Sequence, residues 1–405
     1  MKDLIATYLF RPKNGVTPEF AANAIAEEQT TGTWTGLSTV NDATAYVHTY
    51  DGEVMDIRAV GDGEYSTKLR YPVEIFEPGN IPQYLSVIAG NLFGLGKLES
   101  VRLTDIDIPQ TLYAGDGPKF GIDGIRRIIG SDRDRRPHVG TIIKPKVGLN
   151  PADTAKVAYE AAMGGVDLIK DDETLTNQSF CPLIPRLEAV MDALDKAEQE
   201  TGQKVLYAVN VTTGGDKIVE YAANAVRTGA NMVMVDVLTA GFSAVQALAN
   251  DPAITVPIHV HRTMHGALTR NPHHGIAMLP IAKLVRVCGG DQLHTGTVSG
   301  KMGGSAEEVL IDNLALTTEA PHLKPVFPVA SGGLHPGKVN AELATLGTEI
   351  VLQAGGGIHG HPDGTRAGAA AMRQAVDAFL AGVSAAEYAK THPELAKALK
   401  KWGTV

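Results

Sequence analysis

Eight short runs rich in apolar and β-branched residues recur between residues 139 and 354 and alternate with longer, alanine-rich stretches. This alternation is typical of βα units around a parallel sheet, and eight units predict a (β/α)8 barrel. The predicted strands cover residues 141–146, 166–172, 205–211, 232–237, 257–262, 292–295, 326–330 and 350–354. The predicted helices include residues 151–163, 183–200, 218–228 and 366–380, and Asn150 suits the N-cap of the first.

The first part of the chain does not follow this pattern. Two β-rich stretches at residues 5–10 and 55–71 flank a helix predicted at 18–29, and a second helix is predicted at 81–89. The turn at Asp116-Gly117-Pro118 is a plausible boundary. We therefore expect an α/β protein with an N-terminal α+β domain (1–118), a (β/α)8 TIM barrel (119–385) and a C-terminal helical tail (386–405).

Composition narrows the possible partners. The formal net charge of -9 argues against general binding to nucleic acid or to a membrane surface. No run reaches the roughly 18 apolar residues of a membrane span, and the N-terminus has no long apolar core of a signal peptide. Cys181 and Cys288 form no CxxC pair. We expect a cytoplasmic protein that acts on a small molecule.

Polar side chains cluster where the predicted strands end. The clusters are Lys144-Pro145-Lys146, Lys170-Asp171-Asp172-Glu173, His259-Val260-His261-Arg262, His294, Ser331-Gly332-Gly333 and Gly355-Gly356-Gly357. The carboxyl ends of barrel strands form the face that carries the active site in this architecture. The pattern therefore predicts an enzyme site built from several strand ends.

Lys170 is followed directly by three carboxylates. Carboxylates crowded this closely repel one another unless a cation joins them, and hard oxygen ligands favour Mg²⁺. A free ammonium group would compete with the metal. Either Lys170 neutralises the acids in a structural ion pair, or addition of CO₂ to its neutral amine has made a carbamate that supplies oxygen ligands.

Two glycine motifs, Ser331-Gly332-Gly333 and Gly355-Gly356-Gly357, follow the seventh and eighth predicted strands. Barrels often bind phosphate there through backbone N–H groups, although glycines also serve simply as tight turns. Arg262 and His294, on adjacent strands, suit a second phosphate. A bisphosphate would then lie across the barrel mouth.

The segment of residues 170–173 is called the acidic box below. The roles of the lysines outside it have alternatives. Lys144 and Lys146 should share one face of a strand, where neighbouring ammonium groups favour acid/base chemistry. Alternatively, they pair with Asp171 and Asp172. Lys301 lies in a glycine-flanked loop that fits a lid over bound substrate or a solvated turn.

Three histidines, His259, His261 and His265, raise the possibility of zinc. Their spacing matches no common zinc motif and no cysteine is near in sequence. Hydrogen-bonded histidines within a polar core are the favoured interpretation.

Together these segments resemble the large subunit of ribulose-1,5-bisphosphate carboxylase/oxygenase (RuBisCO), most of all the archaeal form III enzymes, which work without a small subunit. The resemblance covers nearly the whole chain, and its most specific stretches are residues 140–146 and 170–173. It implies Mg²⁺-dependent enolisation and carboxylation of ribulose 1,5-bisphosphate, giving two molecules of 3-phosphoglycerate. It also implies a homodimer or an assembly of dimers.

The resemblance implies roles for single residues. Lys170 would carry the CO₂-derived carbamate and bind Mg²⁺ with Asp172 and Glu173. The other catalytic residues would be Lys144 as acid/base, Lys146 tuning it, His261 in proton transfer, Lys301 over the added CO₂, and Glu28. The remaining substrate ligands would be Thr33, Trp34, Asn91, Arg262, His294, Ser331, Gly332, Gly333, Gly355 and Gly356, of which the N-terminal ones come from the neighbouring chain.

One position departs from the family pattern. Most carboxylases of the family have glutamate two residues after the loop lysine, where this chain has Gly303. Because that glutamate orients the lysine, the change bears on loop geometry and CO₂/O₂ discrimination. Two other functions are alternatives: a RuBisCO-like protein that enolises a methylthioribulose phosphate or another sugar phosphate, and a non-catalytic sugar-phosphate-binding or structural protein.

Overall fold

The computed structural model describes residues 2–33, 35–113, 115–299 and 305–405. Its strands are β1 (Leu4–Pro12), β2 (Glu53–Gly61), β3 (Glu64–Tyr71), β4 (Leu98–Asp107), β5 (His138–Ile142), β6 (Leu168–Lys170), β7 (Leu206–Asn210), β8 (Met232–Asp236), β9 (Ile258–His261), β10 (Gly275–Ile276), β11 (Gln292–His294), β12 (Phe327–Ser331) and β13 (Val351–Ala354).

The helices follow the same chain order. They are α1 (Pro18–Glu28), α2 (Ile81–Ala89), α3 (Gly121–Ile129), α4 (Pro151–Met163), α5 (Leu183–Thr201), α6 (Ile218–Arg227), α7 (Val237–Ala240), α8 (Phe242–Asn250), α9 (Gly266–Thr269), α10 (Met278–Cys288), α11 (Ala306–Thr317), α12 (Val339–Leu346), α13 (Gly356–His359), α14 (Thr365–Leu380), α15 (Ala385–Tyr388) and α16 (Pro393–Trp402).

Contacts divide the chain into two compact units, and the first contains Met1–Asp116 and Met264–Cys288. It is built on a five-stranded sheet in the order β10-β4-β1-β3-β2, antiparallel except between β10 and β4. Buried residues alternate along β1 because successive side chains point to opposite faces of a sheet. The segment Met264–Cys288 groups with this unit because β10 and α10 contact β4, whereas the sequence assigned it to the barrel domain.

The second unit, Gly117–Thr263 and Gly289–Val405, contains a closed barrel of eight parallel strands. Around the barrel the order is β5-β6-β7-β8-β9-β11-β12-β13, which confirms the predicted fold class. The predicted helices are also present, and α4 begins as its sequence indicates. The Asn150 side chain accepts a hydrogen bond from the Asp153 backbone N–H at 2.9 Å, and Pro151 occupies the first turn.

Apolar side chains fill the barrel at the amino ends of its strands. A buried cluster joins Ile122 and Ile125 of α3 to the first residues of five strands. Those residues are Leu168, Leu206, Met232, Phe327 and Val351. Because α3 supplies part of this core, apolar packing occupies one end of the barrel and leaves polar groups to the other.

Two strand predictions were wrong. The first barrel strand is β5, which ends at Ile142, so Lys144 and Lys146 lie in the following loop and share no strand face. Pro145 between them has no N–H to donate to a sheet. The N-terminal strand β4 was missed because polar residues such as Glu99 and Ser100 interrupt its apolar pattern.

Asp291 connects three parts of the barrel unit at a fully buried position. Its carboxylate accepts hydrogen bonds from the backbone N–H groups of Phe120 at 2.7 Å, Gly121 at 2.8 Å and Ile258 at 2.9 Å. Asp291→Ala leaves three N–H groups unpaired, so we expect a loss of at least about 3 kcal/mol of unfolding free energy, measured by urea denaturation.

Asp123→Ala is the matched control, because the Asp123 side chain is 65% exposed and forms only a surface ion pair. It should change the free energy of unfolding by less than about 1 kcal/mol. Equal effects of the two substitutions would contradict the assigned role of Asp291.

Candidate active site

Six of the eight barrel strands end in a polar residue. These residues are Lys170, Asn210, Asp236, His261, His294 and Ser331. Since parallel strands in a barrel bring their carboxyl ends to one face, all six belong to the same end of the barrel. The structure therefore confirms that polar groups gather at the carboxyl face.

Lys170 is the most enclosed cation of this face, with 1% exposure. Its Nζ donates to the Asp171 carbonyl oxygen at 2.8 Å and lies 3.5 Å from Glu173 Oε2. Burial lowers the pKa of Lys170, and the nearby carboxylates of Glu173, Asp172 and Asp236 oppose that effect without cancelling it. A buried amine of lowered pKa is more often neutral than an exposed lysine.

Asp172 and Glu173 are the carboxylates nearest to Lys170 in sequence. Lys144 Nζ donates to Asp172 Oδ2 at 2.6 Å, and the Thr174 hydroxyl donates to Oδ1 at 2.8 Å. Burial opposes the charged form of Asp172, but these hydrogen bonds outweigh it and lower its pKa. Burial is likewise outweighed at Glu173, where Lys170 and His261 lower the pKa. Both groups are therefore anions at neutral pH.

His261 lies between two carboxylates. Its Nδ1 is 3.3 Å from Asp236 Oδ1, and its Nε2 is 3.8 Å from Glu173 Oε2. Burial and the charge of Lys170 lower the pKa of His261, although both carboxylates act in the opposite direction. The imidazole is thus held neutral beside the lysine, in a state that can accept a proton.

A chain of hydrogen bonds runs through two buried histidines. His259 Nδ1 lies 2.7 Å from Gln292 Oε1, and its Nε2 lies 2.8 Å from His294 Nε2. His294 Nδ1 lies 2.6 Å from the Ser331 hydroxyl. A consistent arrangement has both rings neutral, His259 donating to Gln292, His294 donating to His259, and Ser331 donating to His294.

Arg262 follows His261 and is 9% exposed. Its guanidinium Nη2 lies against Gly296, where an added Cβ atom would be 2.7 Å away. Burial lowers the pKa of Arg262 to about 10, partly offset by the charge of Asp312. A buried cation at this face suits an anionic ligand.

A second layer of side chains supports the acidic box from outside the barrel. Asp171 accepts hydrogen bonds from the Tyr207 hydroxyl at 2.6 Å, Arg186 Nη2 at 3.0 Å and the Asn210 N–H at 2.9 Å. Arg186 is fully buried. The predicted alternative, in which the lysines pair with Asp171 and Asp172, is thus confirmed for Lys144 with Asp172, whereas Asp171 pairs with Arg186.

The glycine motifs take the positions that the sequence predicts, after β12 and β13. Gly332 and Gly333 have φ angles of 122° and 82°, which only glycine adopts readily. A Cβ atom on Gly355 would lie 3.2 Å from Lys144 Cε, so this motif runs beside Lys144. Gly356 begins the short helix α13.

The remaining predicted residues lie elsewhere. Lys146 is exposed in the loop after β5. Glu28 ends α1, Thr33 follows it, and exposed Asn91 begins a 3₁₀ turn at Asn91–Gly94 that packs against α1 in the first unit. Two further residues, Trp34 and Lys301, lie outside the described residues.

Sequence reasoning missed four buried polar side chains around this site: Asn210, Asp236, Arg186 and Gln292. Asn210 and Asp236 end β7 and β8, so the rule applied to the other strand ends would have identified them. Arg186 could have been found as a charged residue among the buried positions of α5. Within the described ranges, no three His, Cys, Asp or Glu side chains are grouped closely enough to hold a metal, so the zinc alternative gains no support there.

Fold and site together define an α/β-barrel enzyme with a lysine–carboxylate–histidine centre at the carboxyl ends of its strands. The family model described as the ribulose bisphosphate carboxylase large chain, catalytic domain, matches residues 121–402, and that for the N-terminal domain matches residues 1–112. The chain belongs to the ribulose bisphosphate carboxylase large chain family, as its sequence motifs indicate.

Similar proteins of known sequence and structure agree with this. The ribulose bisphosphate carboxylase of Pyrococcus furiosus is 44% identical over 403 residues, which cover 99% of this chain and 94% of that protein. That of Archaeoglobus fulgidus is 41% identical over 424 residues, covering 100% of this chain and 95% of that protein.

Two solved structures share the whole fold. Octameric RuBisCO from Pyrococcus horikoshii OT3, in complex with sulfate ion, superposes with a TM-score of 0.92 at 42% identity, covering 99% of this chain and 94% of that chain. The dimeric archaeal RuBisCO from Hyperthermus butylicus gives a TM-score of 0.88 at 39% identity, covering 100% of this chain and 96% of that chain. No helix in the described ranges is long and apolar enough to cross a membrane.

Buried histidines make the barrel unit sensitive to acid. Burial lowers the pKa of His138 from 6.5 to about 3, that of His259 to about 3 and that of His359 to about 4. Below about pH 6.5 these histidines bind protons in the unfolded chain but not in the folded chain. The free energy of unfolding is therefore highest above about pH 6.5 and decreases as the pH falls toward 4. At pH 5 each of these histidines should lower the free energy of unfolding by about 2 kcal/mol.

The expected signature is a steep fall in the free energy of unfolding between pH 7 and pH 5, measured by urea denaturation. His138→Gln removes one of these groups, so about one proton fewer should be taken up on unfolding. An unchanged slope against pH would show that His138 is not held neutral.

Proposed function

We propose that this protein is a ribulose-1,5-bisphosphate carboxylase that enolises its substrate with Mg²⁺ and adds CO₂, giving two molecules of 3-phosphoglycerate. The observation that carries the proposal is the nearly complete burial of Lys170 among Asp172, Glu173 and His261. Membership of the carboxylase family supports the same reaction. A cytoplasmic location, expected from the sequence, belongs to this proposal.

The metal ligands proposed are Lys170 as its carbamate, Asp172 and Glu173. Two carboxylates alone leave a divalent ion short of protein oxygens, and Lys170, a buried lysine, has its Nζ 3.5 Å from Glu173 Oε2. CO₂ adds only to a neutral amine, which the lowered pKa of Lys170 favours. Addition of CO₂ to the neutral amine forms an N–C bond and releases one proton from the nitrogen. The product is an anion with two oxygen donors, so the donor set fits Mg²⁺.

When bound, Mg²⁺ would polarise the substrate ketone and stabilise the charge that develops on enolisation. Lys144, 2.6 Å from Asp172, is placed at the same centre and would act as the acid/base, with Lys146 tuning it. His261 would assist proton transfer. Lys301 would stabilise the carboxylate that forms when CO₂ adds. The Thr263 N–H, which donates to His261 Nδ1 at 3.1 Å, would orient the His261 ring.

Arg262, His294 and Ser331 would bind one phosphate of the substrate. The guanidinium group of Arg262 is buried, and the His294–Ser331 pair lies on the neighbouring strand ends. The other phosphate would bind the backbone of Gly332, Gly333, Gly355 and Gly356, with Thr33, Trp34 and Lys301. Phosphates fixed at two ends of the barrel mouth would orient the sugar between them.

A RuBisCO-like enolase or isomerase was the main alternative from the sequence. The relatives described above carry the name ribulose bisphosphate carboxylase at 41 to 44% identity over the full chain, which supports the carboxylase. The non-catalytic alternative conflicts with the retention of Lys144, Lys170 and His261 at one face. We therefore retain the carboxylase alone.

A homodimer, or an assembly of dimers, is part of the proposal. Glu28, Thr33, Trp34 and Asn91 belong to the N-terminal region, and we propose that they complete the barrel site of a neighbouring chain. The similar structures from Hyperthermus butylicus and Pyrococcus horikoshii are described as dimeric and octameric.

Incubation with ribulose 1,5-bisphosphate, Mg²⁺ and labelled bicarbonate under anaerobic conditions tests the reaction. We expect label in phosphoglycerate after preincubation with CO₂ and Mg²⁺, and a loss of at least about 1000-fold in Lys170→Ala. Lys156→Ala, a lysine whose side chain is 76% exposed on α4, is the matched control and should retain full activity. Turnover of a methylthioribulose phosphate without any labelled phosphoglycerate would overturn the carboxylase proposal.

Mixing two inactive variants tests the shared site. Asn91→Ala impairs the N-terminal contribution and Lys170→Ala impairs the barrel contribution, so hybrid dimers should contain one intact site. We expect up to about a quarter of the wild-type carboxylase activity after subunit exchange by mild denaturation and refolding. A fully active monomer in analytical ultracentrifugation would refute the shared arrangement.

A further inference from the structure

Glu342, in the first turn of α12, is a carboxylate with 0% exposure. Burying a carboxylate is costly unless hydrogen bonds replace its water. Here the donors come from two consecutive residues. The Val298 N–H donates to Glu342 Oε2 at 3.0 Å, and the Ser299 N–H and hydroxyl donate to Oε1 at 2.8 and 2.5 Å. Glu342 therefore fixes the backbone of this segment.

Other contacts hold the same segment in place. Lys338 Nζ donates to the Ser299 carbonyl oxygen, and the Thr297 hydroxyl donates to the Gly332 carbonyl oxygen at 3.5 Å. The three residues 297–299 are thus attached both to the start of α12 and to the glycine motif after β12. Charge-assisted hydrogen bonds to Glu342 are the strongest of these contacts.

The segment leads directly into Lys301, two residues beyond Ser299. The neighbours of that lysine include three glycines, Gly300, Gly303 and Gly304, which carry no side chain that could orient it. Within the described residues, the last backbone held by a buried side chain before Lys301 is that of Val298 and Ser299. Glu342 therefore holds the last described residues of the chain before Lys301.

We propose that Glu342 is a positioning residue for the carboxylation step, acting on Lys301 through the backbone of Val298 and Ser299. This rests on the proposed function, in which Lys301 serves CO₂ addition and Lys144 serves enolisation. A displacement of about 1 Å in a reacting group can cost about 100-fold in rate. Loss of Glu342 should consequently impair CO₂ addition far more than proton abstraction.

The experiment compares two rates in Glu342→Ala and Glu342→Gln. Enolisation is followed as exchange of the substrate C3 proton with solvent, and carboxylation as incorporation of labelled bicarbonate. In Glu342→Ala we expect enolisation within about threefold of wild type and carboxylation lower by about 10- to 100-fold. Glu342→Gln keeps one acceptor oxygen, so its carboxylation rate should lie between those of the wild type and Glu342→Ala. The CO₂/O₂ preference should shift in both variants.

Glu349→Gln provides the matched control. Glu349 lies just before β13, at the amino ends of the strands, and pairs with buried Arg126 at 3.2 Å. A loss of stability alone should lower both rates together and leave their ratio unchanged. If Glu342→Ala also lowers both rates in proportion, the positioning role is overturned.

Hydrogen exchange separates this inference from the proposed function. If the wild-type protein fixes no CO₂, the proposed function fails, but deuterium uptake of the peptide that contains Val298 and Ser299 still reports on the anchor. Faster uptake confined to this peptide in Glu342→Ala supports the anchor, whereas unchanged uptake overturns it. Should Glu342→Ala fail to fold, Ser299→Ala and Lys338→Met weaken the same contacts one at a time, and the same shift in rate ratio is expected.

Discussion

The burial of one amine at the end of one barrel strand is the constraint on which the site depends. Lys170 is 1% exposed, and the cost of desolvating its ammonium form lowers its pKa even beside three carboxylates. The same surroundings keep Asp172 and Glu173 ionised. A pocket that disfavours a cation and retains two anions is suited to an amine that becomes an anionic ligand.

That pocket is maintained by groups that never face the substrate. Asp171, between Lys170 and Asp172, turns outward to Arg186 and Tyr207 inside the wall of the barrel unit. Their hydrogen bonds fix the strand end, so the alternating side chains on either side of Asp171 point inward. Asp171 and the carboxylates proposed to bind Mg²⁺ thus share one short segment, and an apolar core lies at the other end of the barrel.

Much of this architecture could be predicted from local pattern. Periodicity located the helices α4 and α5 to within a residue, and the strand-end rule identified Lys170, His261 and His294 as neighbours. Errors arose where pattern is weakest. The strand β5 has a glycine and a histidine among its five residues, which weaken its apolar pattern. The sequence therefore predicted a strand that starts later and includes Lys144 and Lys146. The grouping of Met264–Cys288 with β4 joins residues far apart in sequence, which no local signal records.

The sequence by itself determined the alternation of strands and helices, the chemistry available at each strand end, and the family to which the chain belongs, because those depend on residue types and their spacing. Only the tertiary structure decided which groups are buried and paired. It made Asp171 structural and Asp172 a partner of Lys144, aligned His259 with His294, and brought Glu342 to Ser299. These pairings depend on which groups lose contact with water and on hydrogen bonds between residues distant in the chain. Both are set only when the chain folds.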